Sequence, residues 1–223
     1  AGPQESRPPV RIERSPRAPA GWDALVAADG SNDYPHTAHW NESAAAAIPG
    51  AVVVWLTVAG EGRLLAGLVA VERRAGRGLL ARRRYDSSCE GTSCGPLVSA
   101  DLPPDRRDAL VGDLLRAFAR LRSGPLGAVT VALGPERESR LGHLLARDGS
   151  WVRHDSPTAV IDLAGGADEV SARRLSMTKR NERNRGLRRG AVIDVTHDRA
   201  ALVEYYPLYL AAAAQWGVEP TPL

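Results

Sequence analysis

The stretch from Ala51 to Arg74 constrains this chain most. AVVVWLTV (Ala51–Val58) is an unbroken, β-branched apolar run; AGEGR follows, and then LLAGLVAVERR (Leu64–Arg74). Two such runs joined by a short glycine-bearing link predict a hairpin of buried strands, since strands covered on both faces show no polar alternation. Eight apolar residues are far too few to cross a bilayer, and no longer apolar run exists elsewhere. A further strand is expected within Gly78–Arg84. With 223 residues, 43% of them hydrophobic and 25% charged, the chain has the material for a real core.

Helices and strands alternate around that hairpin. Residues 1–20 hold five prolines and are expected to form a tail, with one short strand at Val10–Glu13. Helices are expected from Gly21 and over His36–Ile48. Leu102–Arg122 is the strongest helix: Pro103 and Pro104 stand at its start, where a missing N–H costs nothing, and Leu110, Leu114, Phe118 and Leu121 form one stripe. A strand at Ala128–Leu133, a helix at Glu136–Arg147 and a strand at Trp151–Leu163, interrupted near Pro157, come next. Ala167–Arg189 reads as helical, Ala191–Thr196 as a strand and Arg199–Trp216 as a helix that Pro207 should kink or restart. The order predicts an α/β (α+β) fold, a mixed sheet flanked by helices. The expected domains are a core at 21–166 and a segment at 167–223 leading toward a second domain.

Net charge is +3, but its distribution is uneven. RRLSMTKRNERNRGLRR (Arg173–Arg189) carries seven arginines and Lys179, the only lysine, against Glu182: +8 − 1 = +7, leaving +3 − 7 = −4 for the rest. On a helix these cations point in nearly every direction, and the segment has no clean apolar stripe. A solvated basic face explains it equally with a phosphate grip, for which guanidinium forks are suited. The candidate phosphate-binding residues are Lys179, Arg180, Arg183, Arg185, Arg188 and Arg189. Arg73, Gly76 and Gly78 fit R-x-x-G-x-G, which resembles the pyrophosphate loop of acetyl-CoA-dependent N-acetyltransferases; an arginine- and glycine-rich hairpin turn explains the same residues. Tyr206 and Tyr209 are candidates first for core packing, second for a pocket lining.

Cys89 and Cys94, five apart, allow a disulfide, a metal site or two thiols; thiols in a reducing cytoplasm are the reading preferred. A structural zinc would need two further ligands, and His36 and His39 have no evident third partner, so no metal is expected. G-x-S-x-G, H-E-x-x-H and P-loop motifs are absent, and no catalytic residue stands out.

Three segments together resemble a known family: HTAHWNESAAAA before a hydrophobic strand, the hairpin with Ala66-Gly67-Leu68-Val69, and SCGPLVSADLPPDRRDALVGDLLRAF. With TKRNERNRGLRRGAVIDVTHDRAALVEYYPLYLAAAAQWGVEP they are similar to the FemAB-like branch of the GCN5-related N-acyltransferase superfamily, the Fem peptidyltransferases and BioF2/CelD-like acyltransferases. Asn184 and Gly186 depart from the arginine and alanine expected there. The resemblance implies the first of two tandem acyltransferase-fold domains, cytoplasmic, in which an aminoacyl group moves from aminoacyl-tRNA to a small-molecule or peptide amine. That acceptor would be a peptidoglycan precursor or, as in actinobacterial pathways, a natural-product intermediate. The basic helix would then hold tRNA or another polyanion, with no tightly bound cofactor. Acyl-CoA as donor is the alternative, and a non-catalytic RNA- or anion-binding module is the second.

Overall fold

The computed structural model describes residues 11–30, 34–76, 82–88, 92–122, 124, 127–157, 162–192, 194–218 and 220. The chain divides into two compact units, residues 1–152 and 153–223.

The first unit is a mixed sheet flanked by helices on both faces. Its strands are β1 (Glu13–Ser15), β2 (Val52–Gly60), β3 (Arg63–Ala75), β4 (Arg82–Asp86), β5 (Leu97–Val98) and β6 (Ala128–Thr130). The order is β1-β2-β3-β4-β6, with β5 also on β3; every pairing is antiparallel except β4 with β6. The expected hairpin forms, closed by a two-residue turn at Glu61-Gly62. Both turn residues have positive φ (57° and 75°), the twist that matches two strands joined this tightly.

The continuous apolar runs now have a physical reason. Val54, Leu56, Val58, Leu68 and Ala70 face one core, built with α3 (Pro104–Ala119) and Leu141 of α4 (Pro135–Asp148). Val53, Trp55, Val69 and Val71 face the other, built with α1 (Trp22–Asp29) and α2 (Ala38–Ala47). Trp22 and Trp55 meet edge to face there at 4.6 Å. Gly67 is required beneath them: a Cβ on it would lie 2.5 Å from Trp22 Cζ3.

The second unit holds α5 (Gly166–Glu169), a π-turn (Val170–Arg174), α6 (Met177–Arg188) and α7 (Arg199–Trp216). The single helix expected over Ala167–Arg189 is interrupted. Leu175 is extended (ψ 139°), and the Ser176 side chain caps a new helix by accepting from the Lys179 N–H. α7 runs through Pro207 without a restart. The strands expected at Trp151–Leu163 and Ala191–Thr196 do not form among the described residues; Val152, Val192 and Val195 stand exposed with no strand to pair with. β1 lies just after the position expected for it, and β6 is only three residues long.

Candidate functional site

Two places in the molecule depart from regular structure in ways that suit ligands, one in each unit.

In the first unit, the strand beside β3 is interrupted. β3 pairs with β4 as far as Val71↔Asp86 and resumes with β5 at Gly67↔Leu97. Three β3 residues, 68–70, lie between these two pairings, and the described residues between Asp86 and Leu97 (87, 88 and 92–96) are in no strand, an excursion from the ladder. The excursion starts at the C-terminal end of β4, next to the parallel β4/β6 pair. In open α/β sheets that end is where ligands bind, and interruptions of this sort recur beside active sites.

Side chains from distant elements hold the returning limb of the excursion. The Gly95 N–H donates to His36 Nε2 (3.1 Å), so the proton of the neutral ring is on Nδ1. The Val98 N–H donates to Asp29 Oδ1 (2.9 Å). Arg137 spans the two, donating to the Pro96 carbonyl (2.9 Å) and to Asp29 Oδ2 (2.8 Å). Asp29, His36 and Arg137 are all buried. The Cys94 N–H donates to the Ala132 carbonyl (2.8 Å) and its thiol to the Pro35 carbonyl (3.4 Å). Cys94 is thus a buried thiol; Cys89 lies outside the described residues. His36 contributes to this clamp, while His39 is not brought to it by any contact. Among the described residues, no group of three His, Cys, Asp or Glu side chains could hold a metal ion.

The helices that follow these strands offer little to a phosphate. α3 begins Pro103-Pro104-Asp105 and α4 begins Gly134-Pro135-Glu136. Proline removes a donor and the acids repel anions from both starts. Nearby, Ser99 and then Arg63 hydrogen-bond to Asp101 and hold its carboxyl below the usual range.

Arg73 and Gly76 are on the β3–β4 hairpin, not at a strand-to-helix junction. Arg73 is engaged by Asp86 (2.8 Å), and Gly76 leaves β3 with φ 90°. Gly78 lies outside the described residues.

In the second unit, Lys179, Arg180, Arg183, Arg185 and Arg188 sit on α6, about 18 Å long, and Arg189 ends it. Lys179 pairs with Glu182 (2.9 Å), and this bond first, with the charges of Lys179 and Arg185 after it, lowers the Glu182 carboxyl. Arg180 donates to the Ala172 carbonyl and Arg183 to the Ser171 hydroxyl, both on the π-turn. Arg185, Arg188 and Arg189 have no ion-pair partner among the described residues. Against the π-turn lies an apolar hollow of about 380 Å³, lined by Leu163, Gly166, Ala167, Val170, Ser171 and Leu175. The hollow is joined to α6 through Ser171, which lines it and accepts from Arg183, a combination that suits an amphipathic anion. Tyr206 and Tyr209 stack on α7 at 5.8 Å but do not line that hollow.

No family model matches the chain, and no curated protein matches it by sequence. Among solved structures it is similar to an aminoglycoside antibiotic 6'-N-acetyltransferase from Acinetobacter haemolyticus, in the apo form. The identity is 18% and the TM-score 0.37, over 68% of this chain and 97% of that one. A match so distant fixes neither activity nor substrate for this chain. No described helix is long and apolar enough to cross a membrane.

Proposed function

We propose that the chain is an N-acyltransferase of the GCN5-related kind that takes its acyl group from an acyl-CoA thioester and passes it to a small-molecule amine. The observation that supports this reading best is the break between β4 and β5 along β3, which opens at the C-terminal end of the parallel β4/β6 pair. It takes backbone out of the ladder where a thioester carbonyl needs donors and an amine needs room.

The chemistry is a simple displacement. The neutral amine nitrogen attacks the thioester carbon, the carbonyl electrons move to oxygen, and their return expels the thiolate. The nitrogen loses its proton as the amide forms, and that proton satisfies the thiolate. Much of the rate comes from holding amine and thioester in line, and from donors aimed at the developing oxyanion. The clamp formed by Asp29, His36 and Arg137 holds the backbone of Gly95, Pro96 and Val98 and so orients the returning limb of the excursion.

One observation favours a second donor, aminoacyl-tRNA. The starts of α3 and α4 are poor anion sites, whereas α6 presents cations on all sides, more than one diphosphate needs. Thiol release from acyl-CoA over a panel of amines tests the first reading, and amine-dependent discharge of aminoacyl-tRNA the second. Changing Arg183, Arg185 and Arg188 together to glutamine should raise the KM of whichever donor is used and flatten its salt dependence. An unchanged KM and salt slope would remove α6 from the donor site. Turnover of neither donor by the folded protein would sink the reading as a whole.

A further inference from the structure

The β3–β4 hairpin carries a second cationic surface. β2 accompanies β3 only as far as Val52↔Glu72, and β6 joins β4 only from Ala128↔Arg84. Beyond those residues, Arg73–Ala75 and Arg82–Arg83 have only each other as strand neighbours among the described residues. The described part of this two-stranded ribbon extends about 10 Å past the sheet. Its register sets Arg73 opposite Arg84 and Arg74 opposite Arg83. Like charges directly opposite one another destabilise an isolated ribbon, so the arrangement calls for a compensating anion.

The available carboxylates are already shared. Asp86 accepts from both Arg73 and Arg84 at 2.8 Å, and Glu72 takes Arg14 at 3.3 Å and Arg83 at 3.4 Å. Arg74 and Arg82 are exposed and have no ion-pair partner among the described residues. The five described arginines of the ribbon stand against these two acids: +5 − 2 = +3. The pairing alternates faces, so Arg74 and Arg83 lie on one face of the ribbon while Arg73, Arg82 and Arg84 lie on the other.

We infer that this ribbon is a binding surface for duplex nucleic acid, gripping the phosphates on the two sides of a groove. Cations on one face alone would fit a flat anionic surface or a single phosphate group. Cations on both faces of a ribbon with no further described strand neighbour fit a groove walled by phosphates, and the major groove of B-form DNA admits a two-stranded ribbon. The short side chain at position 75 and the absence of Asn or Gln imply positioning contacts rather than base reading. The ribbon belongs to the first unit and α6 to the second, and the inference does not depend on which donor the proposed reaction uses.

The test is fluorescence anisotropy of labelled RNA and DNA duplexes of about 16 base pairs, titrated between about 50 and 200 mM salt. The protein is compared with an Arg74→Gln, Arg82→Gln, Arg83→Gln variant. Both are also made with Arg183, Arg185 and Arg188 changed to glutamine, so that α6 does not mask the result. In each background the ribbon variant should lose about tenfold or more in affinity, and its salt slope should fall by about three. Its thermal midpoint should stay or rise, because like-charge pairs are relieved. Equal loss on RNA and DNA assigns the contact to phosphates flanking any groove; loss on one alone assigns it to that groove geometry. An unchanged slope overturns the proposal. So does the variant self-associating with duplex affinity intact, which would make the arginines a guard against strand-edge pairing.

Discussion

Replacing Arg137 with methionine should destabilise the first unit more than any other single side-chain change at the excursion. Asp29 is fully enclosed at its side chain and Arg137 is only 4% exposed. One carboxylate oxygen takes the Val98 N–H and the other takes Arg137, while Arg140 stands off at 3.8 Å and is a third exposed. Methionine keeps much of the volume but leaves a buried charge whose remaining cation is distant. Breaking one side of a buried pair costs about 3–5 kcal/mol, and Arg140 holds the expected value near the lower end, about 3 kcal/mol. The lost Pro96 bond adds about 1 kcal/mol. At about 2–4 °C per kcal/mol for a chain of this size, the midpoint should fall by about 8–16 °C. Tryptophan fluorescence reports it, since Trp22 and Trp55 are buried in this unit. The Asp29→Asn, Arg137→Met double variant keeps an acceptor for Val98 without the charge, and should recover at least half of the loss. A single variant within about 0.5 kcal/mol of the parent would refute the clamp. So would a double variant whose cost equals the sum of the two singles.

Gly67→Ala should overpack the α1 side of the sheet, because the new Cβ would meet Trp22 at 2.5 and 3.0 Å and Leu25 at 3.3 Å. A loss of about 1–3 kcal/mol with altered near-ultraviolet dichroism is expected; unchanged stability would show that Trp22 moves freely. Asp101 titrates lower when folded, so its contribution is present above the ordinary carboxylate pKa of about 3.9 and is lost as pH falls through the depressed folded value. Asp101→Asn should therefore flatten the acid limb of the stability curve, and an acid limb as steep as the parent's would mean that the Ser99 and Arg63 contacts do not persist.

Much of the framework was legible because local pattern and tertiary role agree. The β2–β3 hairpin declares itself through apolar runs buried on both faces. The helix expected over Leu102–Arg122 is α3, its apolar stripe packed on the sheet, and α7 has the expected bounds. The second unit was harder, since its elements lack a buried face: Leu202, Val203, Leu208 and Trp216 are apolar yet more than half exposed. Apolar content alone therefore suggested strands at 151–163 and 191–196 that do not form among the described residues. The break within 167–189 did have a signal, Ser176 three residues before Lys179 at a helix start. The clamp had none. Asp29 and Arg137 are 108 residues apart, and His36 and Gly95 are 59 apart. No periodicity announces such pairs; only the fold brings them together. The basic segment was visible as a charge run, whereas the ribbon's arginines became a surface only once register set them opposite one another.

Acyl transfer to an amine leaves a product that mass spectrometry can identify. The purified protein is incubated with isotope-labelled acetyl-CoA, or with labelled aminoacyl-tRNA, and a panel of small amines. A labelled amide is expected from at least one donor, formed in step with release of free thiol or uncharged tRNA and reduced in the Arg137→Met variant at a temperature where that variant is folded. Hydrolysis of both donors at the uncatalysed rate, with no labelled amide from any amine, would contradict it.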